Sequence, residues 1–469
     1  MSREKNFIKN TIVLGIGNLF PKIAMFIVLP ILTLRLSKSE YGMYDLILTG
    51  VSFLIPLVTL QMQSAAFRFL IECRDNGLRT KQIISNIVAV IYVISFFVCL
   101  LMMVVLHDCH LMLRLGIALY FFIDMVYVTT GQIARGMGYN GQYSIAALIL
   151  SCVKLLGIVV MVGILQKGLL SIVWVLVFAN LLPIMYMSTH IGLWKQICLQ
   201  CVSIKVIAEL INYSFPMVFN NLAVWVLNLS DRMILNYFLG LEATAVYAVA
   251  NKIPGMLSFA QSIMVMAWQE NASLAVVDED AKDYFSKILR GCFDILFIMT
   301  VILLMLLPIL FDILIQGDYQ KAYPNISILI LGMFFYIMSS FLGGIYVAHK
   351  ETKAVASSTL AAALLNLLLN ILFIERFRVI AATMSTLCAC AVLYVGRAVK
   401  MKKIQEINYH PLHQMRLVFI LAVMVIVGQQ MNRERFVMNL ILGLAALWIE
   451  KNVLIDIYRK IRNKREVTK

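Results

Sequence analysis

Six ionisable side chains interrupt stretches that are otherwise apolar: Lys22, Lys154, Arg232 and Lys252 against Asp124 and Asp231. A charge inside such a stretch is costly to place in a bilayer, so each is a candidate for handling a substrate or an ion. The cationic excess suits an anionic ligand, and phosphate is the natural one because Lys and Arg both bind it well. A buried carboxylate offers the complementary chemistry, taking up H⁺ or Na⁺ in one state and releasing it in another. Spacing gives these residues a direction. Thr11, Gly15, Asn18 and Lys22 recur on one helical face, and Asn221, Trp225, Asn228, Arg232 and Asn236 form a similar stripe. Simpler roles compete. Asp124 and Lys154 would neutralise each other as a buried pair, Asp231 and Arg232 would form a structural pair, and Lys252 would snorkel outward. The candidate substrate-binding set is therefore Lys22, Lys154, Asn221, Trp225, Asn228, Arg232 and Lys252, with Asp124 and Asp231 as coupling or gate residues.

The elements that must position them are membrane helices. Of 469 residues, 61% are hydrophobic and only 14% charged, with a mean hydropathy of +0.88. Soluble domains carry about 25% charged residues, so a soluble enzyme, a disulfide-stapled secreted domain and a disordered chain are all excluded. Apolar runs bounded by polar clusters fall at 11–34, 43–66, 83–106, 111–133, 144–166, 169–194, 212–238, 243–269, 288–311, 325–347, 354–374, 378–398, 414–430 and 436–456. Each approaches the roughly 20 residues that a span requires. The expectation is an all-α integral membrane protein of about fourteen transmembrane helices. The run 354–374 is weakened by Asn366 and Asn370, and 414–430 is short.

Net charge is +15. With the N-terminus placed inside, 27 Lys and Arg fall in inside loops and tails and nine in outside loops. That bias fits the rule that cytoplasmic loops are basic, and it predicts both termini in the cytoplasm. Arg397 is counted with the inside loop between spans 12 and 13. The basic run Arg459-Lys460-Ile-Arg462-Asn-Lys464-Arg465 reads as an orientation signal and a contact for anionic lipid, not as a nucleic-acid site.

A weak internal repeat appears at an offset of 203 residues. Asn18-Leu19 matches Asn221-Leu222, Leu36 matches Leu239, and Tyr44 matches Tyr247. Six spans precede the second copy, so the copies share an orientation, as in many two-lobed secondary transporters. The predicted division is an N-lobe over 1–206, a C-lobe over 207–405, and two further helices with the basic tail over 406–469.

Other patterns carry less. The nine Cys are scattered, and Cys198-Leu-Gln-Cys201 is a lone pair that reads as non-functional. His107-Asp108-Cys109-His110 is a weak metal pattern, and His410 and His413 read as solvated. No secretory signal peptide is visible, and no phosphate loop of the GxxxxGK[ST] type occurs, so no ATPase is built in. No catalytic residue, metal site or cofactor is expected.

Several stretches resemble the polysaccharide transporter family, the Wzx-type O-antigen and teichoic-acid flippases within the superfamily of multidrug and oligosaccharidyl-lipid flippases. Leu29-Pro30-Ile-Leu-Thr-Leu-Arg35-Leu-Ser-Lys-Ser-Glu40-Tyr41-Gly42 resembles its first hairpin, and Gln63-Ser-Ala-Ala-Phe-Arg68 the end of its second helix. The clearest match runs through Tyr213-Ser-Phe-Pro216, Asp231-Arg232, Phe238-Leu-Gly240, Tyr247, Lys252 and Ala267-Trp268. The family's usual Trp-x-Pro reads Trp268-Gln-Glu270 here. The resemblance implies two six-helix lobes in an inverted V plus two C-terminal helices. It also implies outward movement of an undecaprenyl-pyrophosphate-linked oligosaccharide across the bacterial inner membrane, by alternating access and without enzymatic turnover. Implied partners are the lipid-linked substrate, membrane lipids and polysaccharide polymerase machinery, with H⁺ or Na⁺ open as coupling ion. Two alternatives remain at this point. A multidrug or cation antiporter would favour an acidic cavity, and a membrane polymerase or ligase would carry a large outside loop.

Overall fold

The computed structural model describes residues 23–258 and 280–451, apart from 75 and 350, together with single positions 261, 268, 272, 275 and 455. Every regular element among the described residues is helical. In chain order they are α1 (Ile23–Arg35), α2 (Lys38–Val58), α3 (Met62–Glu72), α4 (Gly77–Val105), α5 (Leu111–Gly136), α6 (Asn140–Ile158), α7 (Leu169–His190) and the short α8 (Leu193–Gln196). There follow α9 (Ile204–Ala250), α10 (Ala281–Leu314), α11 (Tyr323–Ala348), α12 (Thr352–Phe377), α13 (Val379–Met401), α14 (Pro411–Val427) and α15 (Arg433–Ile449). Ten are long and apolar enough to cross a membrane, and α1 and α14 are shorter apolar helices. The protein is thus a multi-pass membrane protein. Its outer faces carry large apolar side chains in bulk, as on α4, where Phe96, Phe97, Leu101 and Val104 are all exposed. Such faces are stable against lipid tails and not against water.

Two compact units divide between Trp225 and Val226, inside α9. In the first, α5 and α6 pack along α7, and α3 packs along α5. Glycines permit these approaches. A Cβ at Gly136 would stand 2.8 Å from the Leu70 Cβ and 3.2 Å from the Ala66 carbonyl oxygen, so α3 and α5 meet almost backbone to backbone. The start of α2 is fixed by a capping box: Ser37 Oγ accepts from the Glu40 N–H, and the Glu40 carboxylate accepts from the Ser37 N–H at 3.1 Å. The other Glu40 oxygen accepts the Leu169 N–H at 3.2 Å, joining the beginnings of α2 and α7.

In the second unit α13 packs along both α11 and α12, and α14 and α15 lie against α10. Its core is aromatic: Phe285, Phe293, Phe297, Phe334 and Phe341 are fully buried, and Phe293 meets Phe334 edge to face at 5.1 Å. Arg397, expected in a loop, lies inside α13 and is 5% exposed. Its guanidinium donates to Ser358 Oγ (3.0 Å), the Ser339 carbonyl (2.8 Å), the Val355 carbonyl (3.2 Å) and Thr359 Oγ1 (2.9 Å). The charge is therefore spread over neutral acceptors from α11 and α12.

The apolar runs predict the described helices closely, and four differ in detail; residues 11–22 and most of 259–269 lie outside the described residues. The run 43–66 is two helices, because Leu60 and Gln61 both adopt left-handed backbone (φ 49° and 58°) after Thr59 Oγ1 has bonded back to the Ile55 carbonyl at 2.7 Å. The run 144–166 finishes in a wider π-helical turn, Val159–Ile164, after α6. The runs 212–238 and 243–269 begin as one continuous element, α9, 47 residues long with Gly240 as its single non-helical residue (φ 81°, ψ −176°). A straight helix of that length would reach about 70 Å, against a hydrocarbon core of about 30 Å. It folds back instead. Asp231 and Tyr247, about 24 Å apart along a straight helix, are hydrogen-bonded to each other across Gly240.

Candidate functional site

A polar cluster forms around Asp231, which lies on the first arm of α9 and is 1% exposed. Its Oδ1 accepts from Asn370 Nδ2 at 2.6 Å, and its Oδ2 accepts from Thr386 Oγ1 at 2.7 Å and from the Tyr247 hydroxyl. Asn366 Nδ2 donates to Thr386 Oγ1 at 3.2 Å. The cluster thus draws on both arms of α9, on α12 and on α13. Asn366 and Asn370 stand one turn apart on α12, so both reach the same side, and both are completely buried.

The Oδ1 atoms of Asn366 and Asn370 are buried and accept no hydrogen bond. An unsatisfied buried carbonyl costs on the order of 1–3 kcal/mol, so the two amides of the cluster are only half satisfied. The side chains gathered here offer only hard oxygens: one carboxylate, two amide carbonyls and two hydroxyls. That set suits a proton or a small monovalent cation, and it offers no soft ligand to a transition metal.

The other candidates distribute as follows. Lys22 lies outside the described residues. Asp124 on α5 and Lys154 on α6 are close enough for each charge to act on the other, and no hydrogen bond joins them among the described residues. Tyr120 and Tyr127 stand near the same carboxylate. This is the paired arrangement, and it belongs to the first unit. Asn221 Nδ2 donates to its own helix, at the Met217 carbonyl (3.0 Å). Trp225 Nε1 donates to Ser52 Oγ on α2 (3.1 Å), and its ring packs against Phe53 at 4.5 Å. Asn228 is exposed and hydrogen-bonds to Tyr336 on α11. Arg232 is half-buried next to Asp231, and its charge acts on that carboxylate. Lys252 is half-buried in the turn that follows α9. The structure therefore brings Asp231 together with Tyr247, Asn366, Asn370 and Thr386, and brings Asp124 together with Lys154. Of the four partners of Asp231, Tyr247 was noticed in sequence only through the repeat and the resemblance. Asn366 and Asn370 registered only as interruptions of an apolar run, although their i, i+4 spacing was the available signal.

No curated protein matches the chain. Solved structures do, at low identity. Lipid II flippase MurJ in an inward closed conformation aligns with a TM-score of 0.68 at 13% identity, covering 96% of this chain and 99% of that one. An inward-facing multidrug resistance MATE family transporter of the MOP superfamily aligns at 0.65 with 11% identity, over 83% and 95% of the two chains. A MOP superfamily transporter from Pyrococcus furiosus aligns at 0.55 with 14% identity, over 84% and 95%. At such identities the likeness establishes the fold. The sequence itself matches the family described as polysaccharide biosynthesis protein over residues 7–269, more than half of its length, and with that the chain is a member of this family, built on the fold of flippases and MATE transporters.

Proposed function

We propose that this protein is a flippase that carries an undecaprenyl-pyrophosphate-linked oligosaccharide, such as an O-antigen or capsule repeat unit, across the bacterial inner membrane by alternating access. The supporting observation is the Asp231 cluster, a buried carboxylate held by hydroxyl and amide donors, two of whose amides keep a buried carbonyl oxygen that accepts nothing, inside a fold shared with a lipid II flippase. Such a cluster takes up a cation in one state and gives it up in another, which lets an ion gradient set the direction of transport without ATP. Membership in a polysaccharide biosynthesis family supports the lipid-linked sugar as cargo. Lys22, Lys154, Arg232 and Lys252 are the candidate contacts for its diphosphate, with Asn221, Trp225 and Asn228 for the sugars, and Asp124 is a second candidate for coupling. In this reading the lobes span 1–206 and 207–405, both termini are cytoplasmic, the protein catalyses no covalent step, and the flipped unit passes to a polymerase.

The test is flipping of a lipid-linked oligosaccharide in proteoliposomes under an imposed Na⁺ or H⁺ gradient. The wild type is expected to respond to one gradient, and Asp231→Asn to keep slow flipping but lose that response. A wild-type rate indifferent to both gradients would discard ion coupling. Failure to move any lipid-linked sugar, with exchange of organic cations instead, would favour an antiporter.

A further inference from the structure

A second polar cluster lies in the same unit, away from Asp231, where three helices converge. Asp294 comes from α10, His413 from the first turn of α14, and Glu450 from the residue that ends α15. One ligand atom from each lies within 4.8 Å of the others. Asp294 is 4% and Glu450 5% exposed. His413 Nε2 meets Asp294 Oδ1 at 2.9 Å. The Glu450 carboxylate receives no hydrogen bond among the described residues, and its nearest cation, Arg416 Nη2, is 3.9 Å away.

Two buried carboxylates this close repel each other, and Glu450 also sits at the negative end of the α15 dipole. Positive charge is needed there. Arg290 Nε faces Asp294 Oδ2 at 3.9 Å, and Arg416 faces Glu450 at the same distance, both beyond hydrogen-bond reach. Their side chains are 52% and 58% exposed, so solvent screens much of what they provide. An imidazole nitrogen and two carboxylate oxygens, buried and converging from three helices, form the donor set of a three-ligand metal site with an open fourth position. One nitrogen with two oxygens, and no thiolate, favours Zn²⁺ or Mn²⁺ over Cu⁺. Donors around a tetrahedral ion stand about 3.3 Å apart, so binding requires the three ligand atoms, now within 4.8 Å of one another, to draw closer.

We propose that Asp294, His413 and Glu450 bind a divalent first-row transition metal that fastens the C-terminal helix pair α14–α15 to α10. Because the three ligands lie far apart in sequence, the ion acts as a cross-link between segments that no disulfide joins. The site is independent of what the protein transports.

The experiment uses the full-length protein in detergent, stripped with a chelator and titrated with Co²⁺, then Zn²⁺. One Co²⁺ per chain is expected, with a visible d–d band and no thiolate charge-transfer band, bleached when Zn²⁺ replaces it. Zn²⁺ should raise the unfolding temperature. His413→Gln and Glu450→Gln should each weaken binding about tenfold or more, and His410→Gln, three residues from the site in sequence, should not. Absence of a saturable Co²⁺ spectrum in the wild type overturns the proposal whatever the variants do. So does a thiolate band, which would move the ion to Cys198 and Cys201, and so does undiminished binding in both glutamine variants.

Discussion

Asn370→Leu keeps the volume of its side chain and removes the donor that reaches Asp231 Oδ1 at 2.6 Å. A hydrogen bond to a buried charged group contributes about 1.5–3 kcal/mol, and thermal unfolding in detergent should show a loss of that order. If a cation occupies the cluster, the loss should grow when that cation is added, because Asn370 Oδ1 is also gone. Asp231 could be singled out in sequence because an acid inside an apolar run is conspicuous. Its pairing with Asn370 and Thr386 could not, since they lie 139 and 155 residues away and nothing local records such a pairing. The thiols at Cys198 and Cys201 make the opposite case, a pattern visible in sequence whose chemistry appears only in three dimensions. Hydrogen bonding from Cys201 holds the Cys198 thiol below the usual cysteine range, and the same bond raises Cys201. Iodoacetamide near neutral pH should therefore modify Cys198 before Cys201, as peptide mapping would read. Equal rates would mean that the two thiols do not share a proton.

At the scale of the element, Arg397 shows where a sequence-level rule goes astray. Counted by position, it belongs to the basic inside loops; in the structure it holds α11, α12 and α13 together through four hydrogen bonds. The cue was weak, since a cation near the end of an apolar run satisfies the topology rule whether it points to water or inward. Arg397→Met leaves four acceptors without their donor, and Arg397→Lys cannot reproduce the planar fork. Both are expected to destabilise the protein, for Met by about 1–3 kcal/mol for each acceptor left buried and unpaired, read as lower yield of folded protein and lower unfolding temperature. Near-wild-type stability of Arg397→Lys would show that one or two of those bonds suffice. The broken run at Leu60 and Gln61 teaches a related lesson. Neither residue is a glycine, and left-handed backbone at ordinary residues leaves no mark in composition.

For the whole molecule, the fold was legible because the bilayer imposes one repeated length on the chain. Apolar runs of about 20 residues separated by polar clusters have few other solutions. The offset of 203 residues between Asn18 and Asn221 gives an expected lobe boundary at 206–207, whereas the two compact units divide between Trp225 and Val226, where no local feature of α9 marks a boundary. The bias of 27 inside to nine outside Lys and Arg predicts the topology. Reporter fusions at Lys469 should report the cytoplasm, and a fusion in the turn at Leu106–His110 should report the opposite side. A periplasmic signal at Lys469 would require one span more or one fewer.

Gly240 bears on how the protein is made. The two arms of α9 meet without a loop, and Asp231 and Tyr247 are only 16 residues apart in sequence. A ribosome delivers this pair almost together, whereas Asn370 and Thr386 follow 139 and 155 residues after Asp231. For that interval Tyr247 is the one hydrogen-bond donor already synthesised among those described, with the charge of the adjacent Arg232 beside it. The nascent chain therefore passes through a stage in which a buried charge is under-solvated, and quality control has an opportunity there. A chain truncated at Ala348 freezes this stage. It should be degraded faster than the full protein in cells, and Asp231→Asn, which removes the stranded charge, should restore part of its abundance.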